Sequence, residues 1–252
     1  MSQTLWWFKT YLKQLKRHYL GKSTDRDKGY VVERYSLAGT RDLEMYFQGS
    51  PRRCMVDGKI TQCLGKIVRD FYIDQLSHQI EQSGAKRVLE VGAGNSLNLY
   101  LLSQRFPNIT FEGIDITPER VAVGKKWLKA NKNFEPNIEV GDVTQLAFAD
   151  DEFDLIFSVH CFEQIDQYAL AGVREVCRVA KSRVVFLEPD FANSNAAQRL
   201  FLKTHNYLVN FSKTIESVAP GKLVHTELNT YFNVKNKTGL FVVNTETSIE
   251  NL

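Results

Sequence analysis

The stretch Val88-Leu89-Glu90-Val91-Gly92-Ala93-Gly94-Asn95-Ser96 decides the fold. A short apolar run broken by two glycines reads as a buried strand ending in a tight loop. Three further strand-like runs follow it: residues 110–114 closing on Asp115, 137–140 closing on Gly141-Asp142, and 153–159 opening with Phe153-Asp154-Leu155-Ile156. Helical patterns fall between and beyond them, over 95–105, over 119–131 behind the first-turn Pro118, and over 170–179. A fifth strand over 183–187, a helix over 196–211 and two last strands over 223–228 and 240–244 complete the pattern. This alternation predicts an α/β fold, a doubly wound and mostly parallel seven-stranded sheet with helices on both faces. The last two strands lack a long helix between them, so they should form an antiparallel hairpin finishing the sheet.

Upstream, apolar residues at helical spacing predict a helix over 63–80 that ends near Ser83-Gly84. Residues 21–60 are rich in Gly, Ser, Asp and Arg and read as loops and short pieces. At the start, Leu5, Phe8, Leu12, Leu15 and Tyr19 recur every three or four residues, widened by Trp6, Trp7 and Tyr11. Lys9, Lys13, Lys16 and Arg17 lie mostly off that stripe, and Gly21 is placed to stop the helix. The expected organisation is a basic, aromatic-rich extension over 1–60 and an α/β domain over 61–252. The apolar stripe is expected to dock the extension on the body.

The chain has 252 residues, of which 43% are hydrophobic, enough for a packed core. No run approaches the roughly 20 apolar residues of a membrane span, and the N-terminus has no leader pattern, so a cytoplasmic protein is expected. Four scattered cysteines and five histidines show no metal-ligand spacing, so no metal is expected. Charge is uneven. Residues 1–66 carry 13 basic and 6 acidic side chains, and the remainder carries 19 and 23. The extension therefore favours an anionic partner or surface, or simply presents a solvated basic face.

In an open α/β sheet, ligands bind beyond the carboxyl ends of the strands. Gly92 and Gly94 let the backbone approach a ligand closely. Asp115 ends the second of these strands, placed to accept from a ribose diol or to cap the helix at Pro118. Asp142 is placed to accept from an adenine amino group. A dinucleotide fingerprint needs a third glycine where Leu97 stands, and no Walker lysine follows. Glu90, two residues before Gly92, suits a cationic ligand and would repel a pyrophosphate.

Glu90-x-Gly92-x-Gly94, Asp115, Gly141-Asp142 and Phe153-Asp154-Leu155-Ile156 together resemble the class I S-adenosylmethionine-dependent methyltransferases, in the small-molecule branch that includes the quinone-biosynthesis enzymes. The resemblance covers roughly residues 64–252. It implies S-adenosylmethionine as cofactor, with Glu90, Gly92, Ala93, Gly94 and Asn95 facing the methionine part. It further implies Asp115 on ribose, Ile116 packed on adenine, Asp142 and Val143 at the adenine edge, and Ser158 at the methyl-donating end. The sequence departs from the family pattern twice. Ser96 replaces a frequent third loop glycine, and Phe162-Glu163-Gln164-Ile165 stands where many relatives have Leu-Glu-His-Ile.

His160, four residues before Gln164, is the candidate base for an acceptor that must lose a proton, with Glu163 and Glu188 as further candidates. The motif of amino-methylating DNA enzymes is replaced by Ser158-Val159-His160-Cys161, and no RNA-binding module is present. A small-molecule acceptor is therefore expected and a nucleic acid is not. The extension is expected to cover it as a lid, with Tyr30, Tyr35, Tyr46 and Phe47 near the acceptor. Alternatives for residues 1–20 are peripheral contact with an anionic membrane or a homodimer contact. Alternatives for the whole chain are a non-catalytic cofactor-binding subunit, or transfer to a lipid or macromolecule at a membrane.

Overall fold

The computed structural model describes residues 3–20, 27–49 and 51–245. Gly21, expected to stop the first helix, lies outside the described residues. Seven strands form the main sheet: β3 (Arg87–Val91), β4 (Thr110–Asp115), β5 (Asn137–Val140), β6 (Phe153–Val159), β7 (Ala180–Pro189), β8 (Leu223–Glu227) and β9 (Thr238–Asn244). Their order is β5-β4-β3-β6-β7-β9-β8. The first five are mutually parallel, and β9 runs antiparallel to both β7 and β8. The final pair is antiparallel as expected, with β9 inserted beside β7 and β8 left at the edge. Strand order reverses between β3 and β6, which opens a crevice at their carboxyl ends.

Strand alternation divides the core. Val88, Leu155, Phe157, Val185 and Leu187 face α4 (Gly65–Ser83) through Val68, Tyr72, Leu76 and Ile80. Leu89, Ile156, Val184 and Phe186 point the other way, toward Val173 and Val176 of α7 (Ala169–Val179) and Ile215 of α9 (Phe211–Val218). Both faces are covered, which is why these strands read as near-continuous apolar runs. Asp154 pins the start of β3, its Oδ2 accepting from the backbone N–H of Lys86 and Arg87 at 2.8 and 2.9 Å.

The described residues within 27–60 are more regular than their composition implied. They contain α2 (Lys28–Ser36), α3 (Arg41–Phe47) and a hairpin of β1 (Pro51–Val56) with β2 (Lys59–Leu64). Asp27 caps α2, its Oδ1 accepting from the Tyr30 N–H at 2.7 Å. Asp57-Gly58 forms the two-residue hairpin loop, both residues with positive φ. That is the geometry an Asp-Gly pair favours. The hairpin is tied to the body where Met55 and Tyr231 exchange backbone hydrogen bonds.

Two further expectations are corrected. The helix over 196–211 is two helices, α8 (Ala196–Thr204) and α9, separated where Asn206 takes a left-handed conformation. That conformation ends a helix, and asparagine tolerates it. The helix α1 (Gln3–Tyr19) packs on α8, but with a different face from the expected stripe. Thr10 and Gln14 are buried, the Thr204 hydroxyl donates to Gln14 Oε1 at 3.2 Å, and Trp6 and Trp7 pack on the core. Leu5, Phe8, Leu12 and Tyr19 are exposed, Tyr19 by 80%.

Candidate active site

A cleft of about 1170 Å³, counting its open mouth, lies over the carboxyl ends of β3, β4 and β6. Its floor is the loop after β3. Gly92 and Gly94 both have positive φ, and each is needed for close approach. A Cβ on Gly92 would sit 2.5 Å from Cys161 Sγ, and one on Gly94 would sit 2.5 Å from an Arg120 guanidinium nitrogen. Asp115 braces the loop: Oδ2 accepts from the Gly94 N–H at 2.8 Å and Oδ1 from the Thr117 N–H at 2.9 Å. Each of its oxygens retains a lone pair for a ligand hydroxyl.

Glu90 is buried at the end of β3. Asn98 Nδ2 donates to its Oε1 at 2.6 Å, while Oε2 has no partner. Burial pushes its carboxyl up to about 8, against the opposing pull of Asn98 and Arg69. Asn95 Nδ2 and Arg69 Nε are likewise buried without partners, and all three residues line the cleft. A buried acceptor and two buried donors left open are costly unless a ligand completes them.

Ile116, Asp142 and Val143 line the same cleft. Asp142 is already engaged: Lys28 Nζ, from the start of α2, donates to its Oδ2 at 2.5 Å, and Thr144 donates twice to Oδ1. Burial alone would raise the Asp142 carboxyl, but the Lys28 and Thr144 hydrogen bonds outweigh it and hold it low.

Past β6, His160 and Glu163 also line the cleft. His160 Nδ1 lies 3.0 Å from Glu163 Oε2, which also accepts from Asn236 at 2.5 Å. His160 Nε2 lies 3.1 Å from the Thr238 hydroxyl and 3.4 Å from that of Tyr72. Since Tyr72 donates to Thr238, Thr238 is left to donate to the imidazole. Burial alone would lower the histidine pKa; the Glu163 and Glu188 carboxylates outweigh burial and raise it.

Ser158 and Glu188 are not where they were expected. Ser158 is fully buried, outside the cleft lining, and donates to Glu188 Oε1 at 2.9 Å. Glu188 also accepts from the backbone N–H groups of Cys161, Phe162 and Glu163. Burial raises it to about 7, and its contacts make it the anchor of the loop that carries His160. Of the four extension aromatics, Tyr35 alone lines the cleft. Tyr30 packs against the α7 core, Tyr46 donates to Asp70, and Phe47 stacks on Trp127.

Among the cleft residues without a marked place in the sequence are four charged ones, Lys28, Asp42, Arg69 and Arg120. Arg120 donates to Asp42 Oδ2 at 2.8 Å and lies 5.2 Å from the Tyr35 ring. Lys28, Asp42 and Arg120 close the cleft from the side of α2, α3 and α6 (Pro118–Lys132), and Arg69 enters it from α4.

Residues 88–183 match the family model described as a methyltransferase domain. The chain is similar to ajmaline N-methyltransferase of Rauvolfia serpentina, 32% identical over 99 residues, which are 38% of this chain and 33% of that protein. It is similar to the ubiquinone/menaquinone biosynthesis C-methyltransferase of Geobacter sp. (strain M21), 27% identical over 161 residues, 61% of this chain and 66% of that one. The chain thus spans about a third of the first relative and just under two thirds of the second. Its fold resembles that of magnesium protoporphyrin IX methyltransferase from Synechocystis PCC 6803, solved with bound SAH. The TM-score is 0.61 at 14% identity, over 86% of this chain and 99% of that one, a likeness of fold alone. Residues 88–183 thus match a methyltransferase domain set in the sheet order described above, and the cofactor such a domain implies is S-adenosylmethionine. The cleft fits it: Glu90 Oε2 is open to a cationic amino group, Arg69 Nε and Asn95 Nδ2 to a carboxylate, and Asp115 to a ribose.

Proposed function

We propose that the protein transfers the methyl group of S-adenosylmethionine to a nucleophilic atom of a small-molecule acceptor, held beneath a lid formed within residues 1–60, in the cytoplasm. The observation that carries this reading is the open Glu90 oxygen beside the Asp115-braced glycine loop. It is a place for a cation next to a place for a ribose. When bound, the cofactor supplies an already activated methyl. The chain's own task is then alignment and exclusion of water, and orientation alone is worth ~7–11 kcal/mol.

Glu90, Asn95 and Arg69 hold the amino-acid end, and Asp115 with Ile116 and Val143 holds the nucleoside. Asp142 reaches the adenine edge once Lys28 shares or releases it. Tyr35 and the Asp42–Arg120 pair cover the acceptor. Where the acceptor must lose a proton, Nε2 of His160 takes it in place of the Thr238 hydrogen bond. Glu163 fixes the opposite ring nitrogen and stabilises the imidazolium. A small acceptor accords with the names of the two relatives, an ajmaline N-methyltransferase and a C-methyltransferase of ubiquinone/menaquinone biosynthesis.

Calorimetry with S-adenosylmethionine and its demethylated product is the first test, followed by product release across an acceptor panel. Tight binding with turnover is expected. No binding would remove the assignment, and binding without turnover on a broad panel would favour a non-catalytic subunit. His160→Ala should lower turnover with little change in cofactor affinity; unchanged turnover removes the histidine from the mechanism.

A further inference from the structure

Helix α1 turns an apolar arc to solvent. At 3.6 residues per turn, Leu5, Phe8, Leu12, Leu15 and Tyr19 fall within roughly 80° of one another. Phe8 and Leu12 are 59% and 47% exposed, and Leu20, just beyond the helix, is exposed as well. The opposite arc, with Trp6, Trp7, Thr10 and Gln14, already carries the contact with the body. The contact with the core is therefore made without Phe8, Leu12 and Tyr19, which stay exposed. Contiguous exposed apolar surface of this kind marks an interaction site.

The charge beside the arc indicates what meets it. Lys9, Lys13 and Lys16 run along one flank, and α1 contains no acidic residue. A separate hollow between α1 and α8, sharing no lining residue with the cleft, is lined by Lys13, Lys16, Arg17 and Lys235, with Leu20 and Phe201 as apolar walls. Burial first, then the nearby Lys13 and Arg53 cations, lower the Lys235 pKa. No helix among the described residues is long and apolar enough to cross a membrane, so any membrane contact through α1 is peripheral.

We propose that α1 docks the protein on an anionic phospholipid bilayer, its apolar arc entering the headgroup boundary and its lysines, with the hollow beside them, meeting lipid phosphates. The arrangement is that of an interfacial helix, with an apolar face bounded by lysines. A second copy of the chain is a poorer occupant, because two acid-free, lysine-flanked helices would repel in a symmetric pair. A nucleic acid would use the cations and leave the arc exposed. The inference stands apart from the methyl-transfer reading, since it uses no cleft residue.

The test is co-sedimentation of the full chain with phosphatidylcholine vesicles, with and without phosphatidylglycerol, at low and high salt. Sedimentation with the anionic vesicles at low salt is expected, weakened by salt. Replacing Lys9, Lys13 and Lys16 with Gln should cost about fivefold each, on the order of a hundredfold together. Phe8→Glu with Leu12→Glu should cost about tenfold or more, with the melting temperature retained because the docked arc is untouched. Absence of sedimentation with anionic vesicles overturns the proposal, as does sedimentation that neither variant set weakens. So does binding of inorganic phosphate or RNA, or a dimer broken by Phe8→Glu, in a protein that ignores vesicles.

Discussion

Arg120 donates to Asp42 Oδ2 at 2.8 Å and so ties the covering helix α3 to α6 across the glycine loop. Burial alone would raise the Asp42 carboxyl, but Arg120, Arg69 and Arg41 outweigh it and hold it below its ordinary 3.8. The stability it contributes is therefore present above that value and lost as pH falls through the folded one. Asp42→Asn would leave Arg120 largely buried without its counter-ion, at a cost of about 2–4 kcal/mol. Thermal unfolding should show the loss, and stopped-flow measurement should show faster cofactor release as the cover loosens. Unchanged release with lowered stability would mean that α3 is a fixed wall.

Asp115 joins two backbone N–H groups and keeps lone pairs toward the cleft. Asp115→Asn removes charge-assisted bonds worth about 1.5–3 kcal/mol, which corresponds to roughly 10–100-fold in cofactor affinity. Calorimetry on the folded variant reads this directly. Affinity within twofold of the parent would reduce Asp115 to a loop brace.

Glu90 couples binding to protons. Its folded pKa is raised from 4.5 to about 8, so between those values the folded chain keeps a proton that the unfolded chain has lost. Its contribution to stability is full below pH 4.5 and declines as pH rises toward 8. A cation placed at Oε2 would draw the pKa down, so cofactor binding at pH 7 should release close to one proton, roughly, and far less at pH 9. Calorimetry in buffers of different ionisation enthalpy counts the protons. Glu90→Gln should abolish the release and flatten the stability profile; release that survives the substitution assigns the proton to another group.

The sheet was legible because buried parallel strands and their loops leave strong local marks: Val88–Val91 breaks into glycines, and Asp115 and Asp142 each close a strand. Asp27 as a cap and Asp57-Gly58 as a hairpin loop were equally local signals, hidden by a loop-like composition. The orientation of α1 was not legible. Apolar residues lie on both arcs, and the choice fell to Gln14, which finds a buried partner in Thr204, and to the two tryptophans. Apolar residues inside is a one-way rule, and an exposed leucine breaks nothing. The cleft cover escaped for another reason. Lys28 meets Asp142 across 114 residues of chain and Arg120 meets Asp42 across 78, pairings that local pattern cannot encode. Ser158 was displaced by the same kind of contact, drawn to Glu188 one strand away.

Ser96 departs from the glycine of the family pattern it resembles, and its backbone conformation is one that suits glycine. Its φ is 64°, in the left-handed region that costs an L-residue roughly 1–2 kcal/mol. Its hydroxyl is also buried without a partner, so the side chain returns nothing for the strain. A glycine loses more freedom on folding, which offsets up to about 1 kcal/mol of the gain. Ser96→Gly should therefore stabilise the protein by roughly 1 kcal/mol, or about 2–4 °C in melting temperature for a chain of this size. Differential scanning calorimetry without ligand checks it. A lowered melting temperature would mean that the Ser96 hydroxyl has a partner in solution, and a gain in stability accompanied by weaker cofactor binding would give that hydroxyl a place in the cleft.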